Sequence, residues 1–332
     1  MLQNKAYRLR TRPQGTSGHD HFEFVSEPVG KPRSGEVLVK VLYLSLDPTN
    51  RIWMSDIPQY MEPVKVGEVM RGLGIGRVES SQSPSLKEGD LVSGLLGWQE
   101  YAIVDARTVT KLPDLDVPVE AHMGPVGMTG LTAYFGLLEL GQPQAGETVV
   151  VSAAAGAVGS IVGQIAKIKG CRVVGLAGSD DKCTWLTKEL GFDVAINYKK
   201  EDVGAALDKA CPKGIDVYFE NVGGQILEEV LKRVNLFARI PLCGLISGYN
   251  AERPVPGPYQ FPQLLMKRVR LQGFIVFDFV QRFPEAVHQL AQWVREGRIK
   301  YRSTIVKGLD KAPDALNMLF TGDNTGKLFI EL

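Results

Sequence analysis

One short run constrains the fold more than any other: Val149-Val150-Val151-Ser152-Ala153-Ala154-Ala155-Gly156-Ala157-Val158-Gly159-Ser160. A β-branched stretch passes through small residues into two glycines three positions apart. This is the AxxGxxG form of a strand–turn–helix fingerprint, with Ala153 where the first glycine usually stands. The geometry behind it is specific. A strand turns sharply into a helix, backbone amides approach a pyrophosphate, and no side chain can stand between them. Gly156 would serve the close approach, and Gly159 would let the helix pack on the strand. The run follows a strand, opens a helix and lies in a series of βα units, the context this fingerprint requires. Thr148 to Ala166 is free of charge for 19 residues, near the length of a membrane span. A strand, a turn and a buried helix interrupted by Gly156, Gly159 and Gly163 account for it better.

The flanking pattern predicts the architecture. Strands are predicted at Thr148–Ser152, Arg172–Leu176, Val194–Asn197, Asp216–Glu220 and Ala238–Cys243, with a sixth at Val269–Val276. Helices such as Ser160–Lys169 and Asp180–Leu190 lie between them. Connections of that length suit helical crossovers, so the fold class is α/β with a doubly wound parallel Rossmann sheet. The first third differs. Glu36–Tyr43, Gly74–Glu79 and Asp90–Gly94 read as short strands, and prolines at 28, 32, 48, 58, 63 and 84 suit loops and edges. The predicted division is a β-rich domain over residues 1–125, completed by 298–332, and a dinucleotide-binding Rossmann domain over 126–297.

The end of the second parallel strand bears on cofactor choice. A carboxylate about 20 residues after the last glycine would take the ribose hydroxyls of NAD. Position 179 is serine, within Leu176-Ala177-Gly178-Ser179-Asp180-Asp181-Lys182. The strand end is therefore small or polar, and Lys182, one helical turn on, is placed to meet a 2′-phosphate as a point charge. This favours NADP. Asp180 lies only one step from the expected acid, which leaves NAD open, although acids in the first turn also suit the helix dipole.

Other chemistries lack their residues. A catalytic zinc site needs Cys, His and acid ligands, yet Val66-Gly67-Glu68-Val69-Met70-Arg71-Gly72 holds no histidine. His19 and His21 fall in a polar N-terminal stretch that reads as surface. There is no GxSxG elbow and no GxxxxGK[ST] loop. Catalysis should then rest on a nicotinamide supported by hydroxyls, amides and backbone groups. With 38 basic and 37 acidic residues the chain has no nucleic-acid footprint. Cys171, Cys183, Cys211 and Cys243 are scattered, which suggests a reducing compartment. The N-terminus lacks an apolar signal region, so a cytoplasmic location is expected.

Over essentially its whole length the chain resembles the zinc-free medium-chain dehydrogenase/reductases that reduce alkenals and enones with NADPH, including the prostaglandin and leukotriene reductases. The resemblance runs through Leu46-Asp47-Pro48, Met70-Arg71-Gly72, Gly127 to Tyr134 and the glycine turn. It continues through Ala177 to Lys182, Gly191-Phe192-Asp193, Ile196-Asn197-Tyr198, Phe219-Glu220-Asn221-Val222-Gly223-Gly224, Cys243 to Asn250 and Gly322 to Lys327. It implies a GroES-like β-rich catalytic domain. Gly156, Ala157, Val158 and Gly159 would hold the pyrophosphate, and Lys182 and Tyr198, with Ser179 nearby, the 2′-phosphate. Asn221, Cys243, Gly244, Ser247, Tyr249, Phe274, Ile275, Val276 and Asn324 would line the rest of the cofactor. Tyr249 would be catalytic, its phenol hydrogen-bonding the substrate carbonyl oxygen. One departure matters. Many members carry Asp-Pro-Tyr-Met-Arg near the substrate pocket, whereas this chain has Asp47-Pro48-Thr49-Asn50-Arg51, so Tyr60 or Trp53 would shape the pocket instead.

The implied activity is NADPH-dependent reduction of the C=C bond of α,β-unsaturated ketones or aldehydes. Alternatives are a zinc-independent quinone or alcohol oxidoreductase on the same scaffold and a non-catalytic NADPH-binding protein. The expected partners are a small enone or enal substrate and a second copy of the chain, without nucleic acid or membrane. The sixth strand would supply the dimer edge.

Overall fold

The computed structural model describes residues 2–332. Packing divides it into two units. The first holds the chain up to Asp114 with Thr304–Asn324 and Leu328–Leu332; the second holds Leu115–Ser303 with Thr325–Lys327.

The first unit begins with an antiparallel pair, β1 (Gln3–Leu9) and β2 (Phe22–Pro28). It continues through β3 (Glu36–Ser45), the short helix α1 (Thr49–Trp53), β4 (Leu73–Ser81), β5 (Leu91–Leu95), β6 (Tyr101–Asp105) and β7 (Val109–Lys111). The alternation of Val37, Val39 and Val41 along β3 turns these side chains into one small core with Val78 and Val92. A second core gathers Leu44, Leu46, Trp53, Met54, Met70 and Trp98.

The second unit contains α2 (Met128–Phe135), β8 (Thr148–Val151), α3 (Gly159–Ile168), β9 (Arg172–Ala177), α4 (Asp180–Lys188) and β10 (Val194–Asn197). There follow α5 (Val203–Ala210), β11 (Ile215–Phe219), α6 (Gly224–Leu231), β12 (Val234–Leu242), α7 (Pro262–Met266), β13 (Arg270–Gly273) and α8 (Phe283–Arg295). The sheet order is β10-β9-β8-β11-β12-β13, and every neighbouring pair is parallel. The central strands β8, β9 and β11 are buried on both faces, which is why they are apolar runs rather than alternating patterns. Val149, Val151, Val173, Val217 and Phe219 feed one core. Val150, Val174, Leu176 and Tyr218 feed the core on the opposite face. The order reverses between β8 and β11, and a crevice at the carboxyl ends of strands flanking such a reversal is where ligands bind in doubly wound sheets.

The chain then forms β14 (Ser303–Lys307), α9 (Ala312–Thr321) and β15 (Lys327–Glu331). β15 pairs antiparallel with β3, with Ile330 opposite Leu44. The seven-stranded sheet runs β14-β15-β3-β4-β5-β7, and β6 also pairs with β3.

Local boundaries differ from the sequence reading for identifiable reasons. Residues 115–125 and 298–303 pack with the second unit, not the first, because Leu115, Ala121 and Ile299 are buried in its core. The sixth strand ends at Gly273, short of Val276. Phe274 turns inward, and the Asp278 carboxylate accepts the Ile275 N–H at 3.0 Å to open a 3-10 turn. β12 starts earlier than Ala238 and accommodates a positive φ of 62° at Phe237.

Candidate active site

The glycine turn connects β8 to α3. Ala153 adopts φ +48°, the left-handed region that a glycine would enter without the ~1–2 kcal/mol Cβ penalty. The turn closes through Gly156 N–H to Ala153 O at 2.9 Å, and Ala154 N–H donates to Leu176 O at 2.9 Å. A Cβ on Gly159 would lie 2.4 Å from Ala153 O and 2.9 Å from Ala154 Cα. Glycine is therefore required there for the helix to meet the turn. Gly326 braces the far side, donating its N–H to Ala155 O at 2.8 Å. No side chain caps the start of α3; the Ser160 and Ile161 N–H groups donate to Gly156 O and Val158 O, and the positive end of the helix dipole favours an anion at the turn. The turn fits a dinucleotide pyrophosphate.

At the end of β9, Ser179 is the N-cap of α4, its Oγ accepting from Lys182 N–H. Tyr198, following β10, brings its hydroxyl to 2.9 Å from where a Gly178 Cβ would sit, with Lys199 Cε at 3.3 Å. Gly178, Ser179, Lys182 and Tyr198 thus come from one turn and the start of the next. Asp180 does not stand open. Its Oδ1 accepts from Asn197 Nδ2 at 2.6 Å, and its Oδ2 is ion-paired with Lys200. The sequence pattern singled out neither Lys200 nor Asn197 as a partner of Asp180, because their meeting depends on the β9–β10 pairing.

The ends of β11 and β12 form the third part. Asn221 donates its backbone N–H to Ser152 Oγ at 2.8 Å and its Nδ2 to Ser152 O at 2.7 Å. Glu220 is fully buried; its Oε1 accepts from Ser152 Oγ, Tyr218 Oη and Val222 N–H, while Oε2 has no partner. Burial pushes its carboxyl above the usual range, against the pull of these donors. The Glu220 carbonyl receives both Cys243 and Gly244 N–H. Burial, aided by the charge of Glu220, pushes the Cys243 thiol up to about 12. Ser152 and Glu220 thus tie the ends of β8, β11 and β12 together, a role the sequence motif did not disclose.

An open cleft of about 410 Å³ lies beside these ends, lined by Leu242 to Leu245, Tyr249, Gly273 to Ile275 and Asp278. It contains the expected residues Cys243, Gly244, Tyr249, Phe274 and Ile275. The Tyr249 oxygen accepts Leu245 N–H at 3.0 Å. Val276 is buried just beyond this lining, and Ser247 donates its hydroxyl to Val222 O at 2.6 Å. Asn324 is buried in the first unit.

In the first unit, Thr49 Oγ1 lies 2.6 Å from Tyr60 Oη, which also accepts Trp53 Nε1–H at 3.0 Å. Arg71 lies over the Trp53 ring at 5.5 Å. The three side chains suggested by the Thr49 departure therefore form one cluster. Among the described residues, no group of three or more His, Cys, Asp or Glu is arranged to hold a metal ion.

A doubly wound sheet with this turn, joined to a β-rich unit completed from the C-terminus, defines an oxidoreductase of the medium-chain dehydrogenase/reductase class. Residues 5–112 match the family model of an N-terminal domain of oxidoreductase, and residues 157–293 match that of a zinc-binding dehydrogenase. The chain is 46% identical to the NADPH-dependent curcumin reductase of Escherichia coli over 99% of its own length and 97% of that protein. It is 46% identical to the NADP(+)-dependent 2-alkenal reductase of Nicotiana tabacum, covering 89% of this chain and 86% of that one. The crystal structure of CurA from Vibrio vulnificus in complex with NADPH superimposes with a TM-score of 0.93 at 44% identity, over 98% of both chains. The chain belongs to the zinc-free enoyl and alkenal reductases of the medium-chain dehydrogenase/reductase family.

Proposed function

We propose that this protein uses NADPH to reduce the carbon–carbon double bond of α,β-unsaturated ketones and aldehydes. Its similarity to reductases named for alkenals and for curcumin supports the reaction class. The NADPH complex of the similar CurA structure supports the cofactor. Gly156, Ala157, Val158 and Gly159 would hold the pyrophosphate, and Ser179, Lys182 and Tyr198 the 2′-phosphate. Asn221, Cys243, Gly244, Ser247, Phe274, Ile275, Val276 and Asn324 would contact the remainder. When bound, NADPH supplies the hydride that adds at the substrate β-carbon.

The protein's own contribution is electrostatic. Negative charge grows on the substrate carbonyl oxygen as the double bond is reduced, and a donor fixed at that oxygen acts where the charge develops. Tyr249 is assigned this role, and one observation carries the assignment. Its phenol lines the cleft while its oxygen accepts Leu245 N–H at 3.0 Å. That bond fixes the oxygen and polarises the O–H it presents. Thr49 and Tyr60 are assigned to substrate preference.

Tyr249→Phe removes the donor and keeps the ring. The expected result is a clear fall in kcat/KM for an enone with little change in NADPH binding. A fall of less than about threefold, equivalent to about 0.65 kcal/mol, excludes the donor role.

The protein is further inferred to be cytoplasmic and a homodimer. Four unpaired thiols support the compartment, and no helix among the described residues is long and apolar enough to cross a membrane. The dimer is supported by β13, the terminal strand of its sheet, whose four residues are all exposed. Tyr259, Phe261, Leu265 and Met266 add exposed apolar surface just before that strand.

A further inference from the structure

We propose that Lys200 and Asn197 hold the Asp180 carboxylate in a clasp that gives the site its preference for NADPH over NADH. The proposal rests on the NADPH reading above and goes beyond it, since neither clasp residue is among those assigned to the cofactor.

Asp180 is the first residue of α4, immediately after the β9 turn. A carboxylate at the end of this strand is what an NAD site uses to bind the ribose 2′-hydroxyl. The same carboxylate would repel a 2′-phosphate. Here both its oxygens are engaged by donors from the β10 end: Asn197 Nδ2 on Oδ1 at 2.6 Å, and the Lys200 ammonium on Oδ2. Asn197 is a rigid support. It is buried, its N–H donates to Glu201 Oε1 at 2.7 Å, and its carbonyl receives the N–H groups of Lys200 and Glu201. Its Oδ1 also accepts Lys199 N–H at 3.2 Å. The segment that carries Tyr198 therefore also draws the acid toward β10.

The charge balance follows. Lys200 offsets Asp180, so this acid adds little net negative charge to the turn that carries Ser179 and Lys182. The Asp180–Lys200 pair is exposed on both sides, 62% and 66%, and such pairs add little to stability. Its consequence falls on a ligand: a phosphate monoester carries about −1.5 to −2 charge near neutral pH. An unopposed acid beside it is costly, whereas a neutral ribose hydroxyl is indifferent to the clasp or gains an acceptor when it opens.

A binding experiment without turnover tests this. Apoenzyme is titrated calorimetrically with adenosine 2′,5′-bisphosphate and, separately, with AMP. Wild type should bind the bisphosphate at least tenfold more tightly. Lys200→Met should weaken the bisphosphate at least tenfold and change AMP less than threefold. Adding Asp180→Asn to that variant removes the unopposed acid, and bisphosphate binding should return to within threefold of wild type. A double variant as weak as Lys200→Met would overturn the clasp and make Lys200 a direct phosphate contact. An unchanged Lys200→Met would overturn it as well. A wild type that does not prefer the bisphosphate would instead overturn the NADPH reading on which the clasp rests.

Discussion

At the residue scale, small groups decide whether the turn can exist. Gly159 is the strictest case, because the atoms its Cβ would strike are backbone and cannot rotate away. Gly159→Ala should cost about 1–3 kcal/mol, the range for overpacking, and should weaken NADPH binding. Urea unfolding and cofactor titration check both; a variant matching wild type in each would contradict the close fit. The Thr49 hydroxyl and Tyr60 form the other residue-scale unit. Tyr60→Phe breaks the links to Thr49 and Trp53 and should shift relative KM values across an enone panel, leaving NADPH affinity unchanged. A uniform loss across the panel would argue against a role in substrate choice. The strand–turn–helix run and the small Gly178-Ser179 exit from β9 were legible because each is set by local geometry. The Asp180 clasp and the Glu220 network were not, because each joins residues from separate strands. Ser152 and Glu220, for instance, stand 68 positions apart.

At the scale of elements, β8, β11 and β12 are held at their carboxyl ends by a buried acid. Burial raises the folded pKa of Glu220 above its unfolded value. The stability linked to its protonated form is therefore fully present below the unfolded pKa and lost as pH rises through the folded one. Glu220→Gln does not titrate. Wild-type stability relative to this variant should accordingly be greatest in acid and shrink as the pH rises toward neutral. Urea unfolding across that range checks the sign, and a gap that widens with pH would contradict it. The strands β8 and β9 each end within one residue of their predicted bounds, and β10 has the predicted bounds, Val194–Asn197. The terminal strand was read too long because a buried aromatic and an aspartate turn look, in one dimension, like further strand.

At the scale of the whole molecule, the chain's return from α9 into β15 joins segments nearly three hundred residues apart, such as Ile330 and Leu44. The short mixed pattern after Gly297 signalled a return to the first domain, but pairing with β3 could not be read locally. The proposed dimer belongs to this scale. Sedimentation should give about twice the 36.4 kDa chain mass, and Phe261→Glu with Leu265→Glu should shift it toward monomer. A wild-type monomer at micromolar concentration would contradict the assembly. The thiols give a separate check. Burial pushes Cys171, Cys183 and Cys211 up to about 11, and thiolate is the reactive form. The folded protein should therefore label only slowly with iodoacetamide near pH 7.5.

The defining property of the enzyme is which bond it reduces. Purified protein should be incubated with an α,β-unsaturated ketone and NADPH, with NADH in parallel, and the product identified by NMR. The expected product is the saturated ketone, formed faster with NADPH and with one NADPH consumed per double bond lost. An allylic alcohol with its double bond intact, or NADPH binding without turnover across a broad enone and enal panel, would rule out double-bond reduction.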